Sequence, residues 1–176
     1  MFVITRYYKT FTRLPVHTLL VLTLVSCGSG SDNTANSIAT STRQFQSLQL
    51  TLTMPNNARL GEAIPITFTV KNIGAETITV LLADPEAISQ AKLGNTEIWN
   101  WAFGKPFSPV LPSSKSIAPG ETKSYDLSWN QKDNAGNQVS SGKYSIKSWF
   151  NTTSVNGVEV SPQTDLAPEP ITVTLP

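Results

Sequence analysis

The chain has very little with which to do nucleophilic or metal chemistry: one histidine, His17, and one cysteine, Cys27, in 176 residues. Both lie near the amino terminus, so everything beyond residue 27 is without thiol or imidazole. Ser-His and Cys-His nucleophile pairs need a base to take the proton, and none is present there. Zinc sites built from His and Cys are excluded on the same ground, and nothing in the sequence calls for a cofactor. Only a pair of carboxylates remains as hydrolytic machinery, and the scattered acids show no such pair, so no catalytic residue is expected. Long apolar runs are also missing. The longest, around Leu19-Leu20-Val21-Leu22-Thr23-Leu24-Val25, is about eight residues, against the roughly 20 that a membrane-spanning helix needs.

That short run has a different meaning. Arg6, Lys9 and Arg13 precede it with no acidic residue, and Ser26-Cys27 follows it. A basic flank, a short apolar core and a small residue before the cut are the parts of an export signal. Leu24-Val25-Ser26-Cys27 resembles a lipobox, the bacterial lipoprotein signal. That resemblance implies cleavage between Ser26 and Cys27 and acylation of Cys27, so membrane lipid is one expected partner. Residues 1–26 hold three of the 13 basic side chains and none of the 12 acidic ones, so cleavage leaves a net charge of about −2. No basic field remains for nucleic acid. Gly28 after the cysteine, in place of Asp, resembles lipoproteins passed to the outer membrane in two-membrane bacteria. The domain is expected outside the cytoplasm, anchored in the cell envelope.

Residues 27–44 are polar and small and read as a lipidated tether, or as a linker of no required length. From residue 45 the pattern changes to period two. Leu48, Leu50, Leu52 and Met54 form one apolar face; Ile64, Ile66, Phe68 and Val70 form the next. Ile78, Val80 and Leu82 mark a third strand, closed by Asp84-Pro85, with at most one helical turn over 85–90. Weaker strands at 88–92 and 97–101 meet around Gly94-Asn95. Tyr125, Leu127 and Trp129 alternate, as do Tyr144, Ile146, Ser148 and Phe150, and strands at 158–160 and 171–175 finish the series. Seven to nine short strands separated by turn residues predict an all-β fold, an immunoglobulin-like antiparallel β-sandwich spanning 45–176.

Some residues stand out within that frame. Pro119-Gly120 fits a type II turn, and Tyr144, opening a strand after Gly142, fits a tyrosine corner. Asp133-Asn134-Ala135-Gly136-Asn137 has the look of a calcium loop, but Ala135 takes an oxygen ligand's place and no closing Glu follows, so a hairpin loop is expected and no metal site. Trp99 and Trp101, two apart on a strand, share a face: both pack on the core beside Trp129, or both form an aromatic platform for a protein or sugar. Trp149 faces opposite to Tyr144 and Ile146, so one of the two faces of that strand is expected to expose an aromatic. The segment 102–115, with three prolines and the exposed-looking Lys105 and Phe107, reads either as a stiff recognition loop or as an ordered crossover. The candidate partner-binding residues are therefore Trp99, Trp101, Lys105 and Phe107.

Several of these pieces, taken in order, resemble the BsuPI family of intracellular proteinase inhibitors. They are Ile66 through the Asn72-Ile73-Gly74 turn, Glu97-Ile98-Trp99-Asn100-Trp101, Phe107, Ile117-Ala118-Pro119-Gly120-Glu121, Tyr125 four residues before Trp129, and Gly142-Lys143-Tyr144-Ser145-Ile146. The likeness covers roughly 64–150. Ser141 stands where the family has proline, residues 45–60 add a strand, and the export signal departs from a cytoplasmic family. The resemblance implies a binding domain that inhibits a serine, subtilisin-like protease, here in the envelope or outside the cell. The other reading is a non-inhibitory structural or assembly module that binds an envelope protein through a sheet edge or aromatic face. No oligomeric state is legible.

Overall fold

The computed structural model describes residues 37–107 and 111–176, within the compact unit Thr34–Pro176. Ten strands run in chain order: β1 (Ile38–Phe45), β2 (Leu48–Pro55), β3 (Ile64–Asn72), β4 (Ile78–Leu93), β5 (Thr96–Asn100), β6 (Ser113–Ile117), β7 (Thr122–Trp129), β8 (Gly142–Val155), β9 (Val158–Glu159) and β10 (Ile171–Leu175). One sheet has the order β1-β2-β3-β7 and the other β10-β8-β4-β5, with β6 also on β4 and β9 also on β8. Every strand pairing is antiparallel. The protein is an all-β, immunoglobulin-like sandwich.

The alternating apolar residues make the core because period two puts them on one side of each strand. Leu50, Phe68, Val70, Val80, Ile117 and Phe150 pack at one end; Leu52, Ile66, Trp129, Tyr144, Ile146 and Val173 pack at the other. Trp129 joins the sheets there, edge-on to Tyr144 with ring centres 5.2 Å apart, its indole N–H donating to the Lys132 carbonyl at 2.9 Å. Tyr144 is buried and its hydroxyl donates to the Ser140 carbonyl at 2.9 Å, the expected tyrosine corner. Gly120 has φ +76° and the Glu121 N–H donates to the Ala118 carbonyl at 3.0 Å, as a type II turn requires.

Four expectations need correction. The folded part begins before residue 45: residues 38–44, placed in the tether, belong to β1, in register with β2 from Ile38 opposite Pro55 to Phe45 opposite Leu48. Its inward positions include only Ala39, Ser41 and Arg43 before Phe45, so no apolar alternation announces it. Backbone pairing and cross-strand hydroxyl contacts, Thr40 with Thr53 and Thr42 with Thr51 at 3.3 Å, hold it instead. The separate strands expected at 78–82 and 88–92 are one strand, β4, and no helical turn lies between them. Its register against β8 shifts between Leu82 and Ala87, an irregularity that accommodates Pro85. Asn151 Nδ2 donates to the Pro85 carbonyl at 2.7 Å, and the Tyr125 hydroxyl donates to Glu86 at 2.9 Å. Burial, reinforced by the Glu86 carboxylate, raises the Tyr125 phenol far above its usual range and keeps it a donor.

Ten strands form, because β1 and β6 are added while two expected strands merge into β4; β6, Ser-Ser-Lys-Ser-Ile, is polar and lies in what reads as loop. It pairs with β4 from Ser113 opposite Leu82 to Ile117 opposite Ile78. Lastly, Trp149 is only 7% exposed, and Tyr144 and Phe150 are buried too, so neither face of β8 exposes an aromatic.

Candidate functional site

The four candidate residues gather where β5 ends. Trp99 lies in β5 opposite Ala91 and faces inward, its ring centre 6.1 Å from that of Trp129. Asn100 closes the strand. Its side-chain oxygen accepts from the Ala102 N–H at 3.0 Å, and its carbonyl accepts from Phe103 at 2.9 Å. A second bond, from the Lys105 N–H to the Ala102 carbonyl at 3.2 Å, tightens the chain into a turn over 101–104. Gly104 has φ +68°, a conformation glycine adopts without steric cost. Trp101 lies in this turn just past the last residue of β5, its N–H still donating to the Ser89 carbonyl of β4 at 2.9 Å, and it lines the same groove as Trp99.

Beyond the turn the remaining two residues close on Trp101. Lys105 Nζ sits 3.2 Å from its ring centre, a cation–π contact. Phe107 packs against the same indole at 6.1 Å with the rings tilted by 35°. Desolvation lowers the Lys105 ammonium below its usual pKa. Trp101, Lys105 and Phe107 thus form one cluster, whereas Trp99 belongs to the edge of the core. Phe107 is half-buried and Lys105 exposed.

Opposite this cluster stands the polar segment 130–137, and the two enclose an open groove of about 420 Å³ lined by Trp99, Trp101, Phe103 and Lys105 on one side and Lys132 and Asn134 on the other. Asn134 fixes the groove's width. Its N–H donates to the Ile98 carbonyl and its side-chain oxygen accepts from the Asn100 N–H, both at 2.9 Å, so it occupies the free edge of β5. Asp133 spends its carboxylate on its own loop, accepting from the Asn137 N–H at 2.8 Å, the Ala135 N–H at 2.9 Å and Asn137 Nδ2 at 3.1 Å. Those bonds, the Asn137 N–H foremost, hold its pKa below the usual carboxylate value. Among the described residues no group of three or more His, Cys, Asp or Glu is placed to hold a metal ion.

Sequence reading missed the residues that anchor the polar segment 130–137 to the rest of the fold. Asn134 and the buried Gln131 look like ordinary loop residues. Gln131 nevertheless donates to the Arg59 and Glu62 carbonyls at 2.8 and 2.6 Å and accepts from the Gly61 N–H at 2.8 Å. Phe103 and Leu111, 62% and 86% exposed, were also passed over, although an apolar residue in a proline-rich stretch was a usable signal. Ser26 and Cys27 lie outside the described residues.

The family model for BsuPI, intracellular proteinase inhibitor, matches residues 48–155, more than half the chain, and the protein belongs to that family. No curated protein matches the sequence significantly. Among solved structures, the CARDB domain of a Pyrococcus furiosus protein, in complex with di-metal ions, is similar at 14% identity over 80% of this chain and 88% of that one, with a TM-score of 0.38. A β-glucosidase from Listeria innocua is similar at 11% identity over 80% of this chain and 16% of its own, with a TM-score of 0.39. One from Erythrobacter marinus gives 12% identity over 80% and 15%, with a TM-score of 0.37.

Proposed function

We propose that the chain is a membrane-anchored lipoprotein whose BsuPI domain binds and inhibits a subtilisin-like serine protease in the cell envelope or outside the cell. The family match over residues 48–155 carries this reading, since the family is described as a proteinase inhibitor. The segment after β5 supports it: its entry is fixed by the turn at 101–104, its exit by β6, and Leu111 is exposed between them. The lipobox-like Leu24-Val25-Ser26-Cys27 supports the anchor and, with it, a target outside the cytoplasm. A diacylglycerol together with an amide-linked acyl chain is enough for stable anchoring.

Two measurements test the proposal. The full chain in detergent micelles should slow peptide-substrate hydrolysis by subtilisin; no effect on any serine protease, with the chain intact, ends the inhibitor reading. In cells, Cys27→Ser should move the protein from the membrane fraction to the soluble one, and an unchanged distribution would remove the lipid anchor. The competing reading, an assembly module that adds a partner strand, has one observation in its favour: among the described residues β7 pairs only with β3, which leaves its other edge without a strand. Co-purification of an envelope protein without protease inhibition would favour it.

A further inference from the structure

We infer that Leu111-Pro112 is the bond this domain offers to a protease, with Leu111 filling an apolar specificity pocket and Pro112 making the bond after it resistant to cleavage. This rests on the inhibitor reading and assigns its contact residue.

Among the described residues between β5 and β6, three long exposed side chains compete for the role. Phe103 is exposed, but it sits inside the turn at 101–104, closed by bonds of 2.9 and 3.2 Å. A protease cleft takes its substrate as an extended strand, which pairs main chain with main chain. Lys105 is committed to the Trp101 ring at 3.2 Å and would have to give up that contact to reach into a pocket. Leu111 has neither restriction. It is 86% exposed, more than any other large apolar side chain among the described residues, and a residue before proline is driven to extended backbone. Immediately beyond Pro112 the chain enters β6, tied to β4 from Ser113 opposite Leu82 onward.

The chemistry of the bond favours inhibition over cleavage. The protease serine Oγ attacks the Leu111 carbonyl carbon while its proton passes to the protease histidine. The carbon–nitrogen bond then breaks only if that histidine delivers the proton to the Pro112 nitrogen. Proline carries Cδ on that nitrogen where other residues carry hydrogen, and the ring crowds the preceding residue and the approaching imidazole. Acyl-enzyme formation is therefore slow. If the bond does break, β6 stays paired to β4 and keeps the Pro112 amine beside the ester. Its attack on the acyl carbon remakes the peptide bond, and its proton returns through the histidine to the serine oxygen.

Full-length chain in detergent micelles, with subtilisin and trypsin as probes, tests each part. Leu111→Ala should raise Ki for subtilisin about 30-fold or more, the size of an interface hot spot, with unchanged melting. Leu111→Lys should weaken inhibition of subtilisin and create inhibition of trypsin. Pro112→Ala should be cut by subtilisin, with mass spectrometry placing the new terminus directly after residue 111. If the unaltered chain inhibits subtilisin and both Leu111 variants inhibit it equally well, the assignment is wrong while the inhibitor reading stands. A Pro112→Ala chain that inhibits normally and stays uncut overturns the role of the proline. Absence of inhibition by the unaltered chain removes this inference together with the reading beneath it.

Discussion

Asp133 shows how a residue with the chemistry of a metal ligand is used up by its own loop. Three N–H groups, from Asn137 twice and Ala135 once, converge on its carboxylate. Because they stabilise the ionised form, the folded-state pKa lies below the unfolded value. The stabilisation is complete above the unfolded pKa, about 3.9, and is lost as pH falls through the lower folded one. Asp133→Asn keeps an acceptor of similar shape but no charge. Its melting temperature should therefore fall below that of the unaltered chain at pH 7, with the gap closing as the buffer approaches pH 3; a constant gap across that range would mean the charge is not what the loop uses. At this scale the sequence was readable at Tyr144 and Gly120, where a corner and a turn are built within a few positions of the chain. Asn134 and Gln131 were not, since their partners, Asn100 and Arg59, lie 34 and 72 positions away.

Strands were visible from sequence when an apolar alternation marked their buried face and invisible when they lacked one. Leu48 to Met54 and Ile64 to Val70 announced β2 and β3 through alternation. The polar edge strands β1 and β6 had no such signal, and β4 was read as two because Asp84-Pro85 interrupts its pattern. Polar edge strands have a function of their own. They shield the paired edges of inner strands from other chains. Removing residues 1–45 would leave β2 as a bare edge and uncover Phe45's site against the core. We expect the shortened chain to melt about 5–10 °C lower, from a loss of roughly 1–2 kcal/mol, and to self-associate in size-exclusion chromatography. A shortened chain that stays monomeric with unchanged melting would show β1 to be dispensable.

At the level of the whole molecule, the same indole chemistry is put to two uses, and mutation separates them. Trp129 is completely buried, packs on Trp99 and Tyr144 and donates to the Lys132 carbonyl. Trp101 is half-buried, just past the last residue of β5, and holds Lys105 and Phe107 on the groove wall. Sequence alone left Trp99 and Trp101 undecided between core and platform because nothing local marks where β5 ends. That limit is set by Asn100, which turns the chain with its own side chain, and by Asn134, which arrives from the far side of the fold. Trp129→Phe loses ring volume and a buried hydrogen bond and should cost on the order of 2–3 kcal/mol in urea unfolding, with inhibition intact under conditions where the variant is folded. Trp101→Ala should change stability by less than about 1 kcal/mol, since a half-exposed ring loses little burial. It should also release Lys105 and Phe107 and so loosen the entry to the exposed segment, lowering affinity for the target protease. Equal losses of stability in the two variants, or an affinity that follows stability in both, would mean that the groove wall is only an extension of the core.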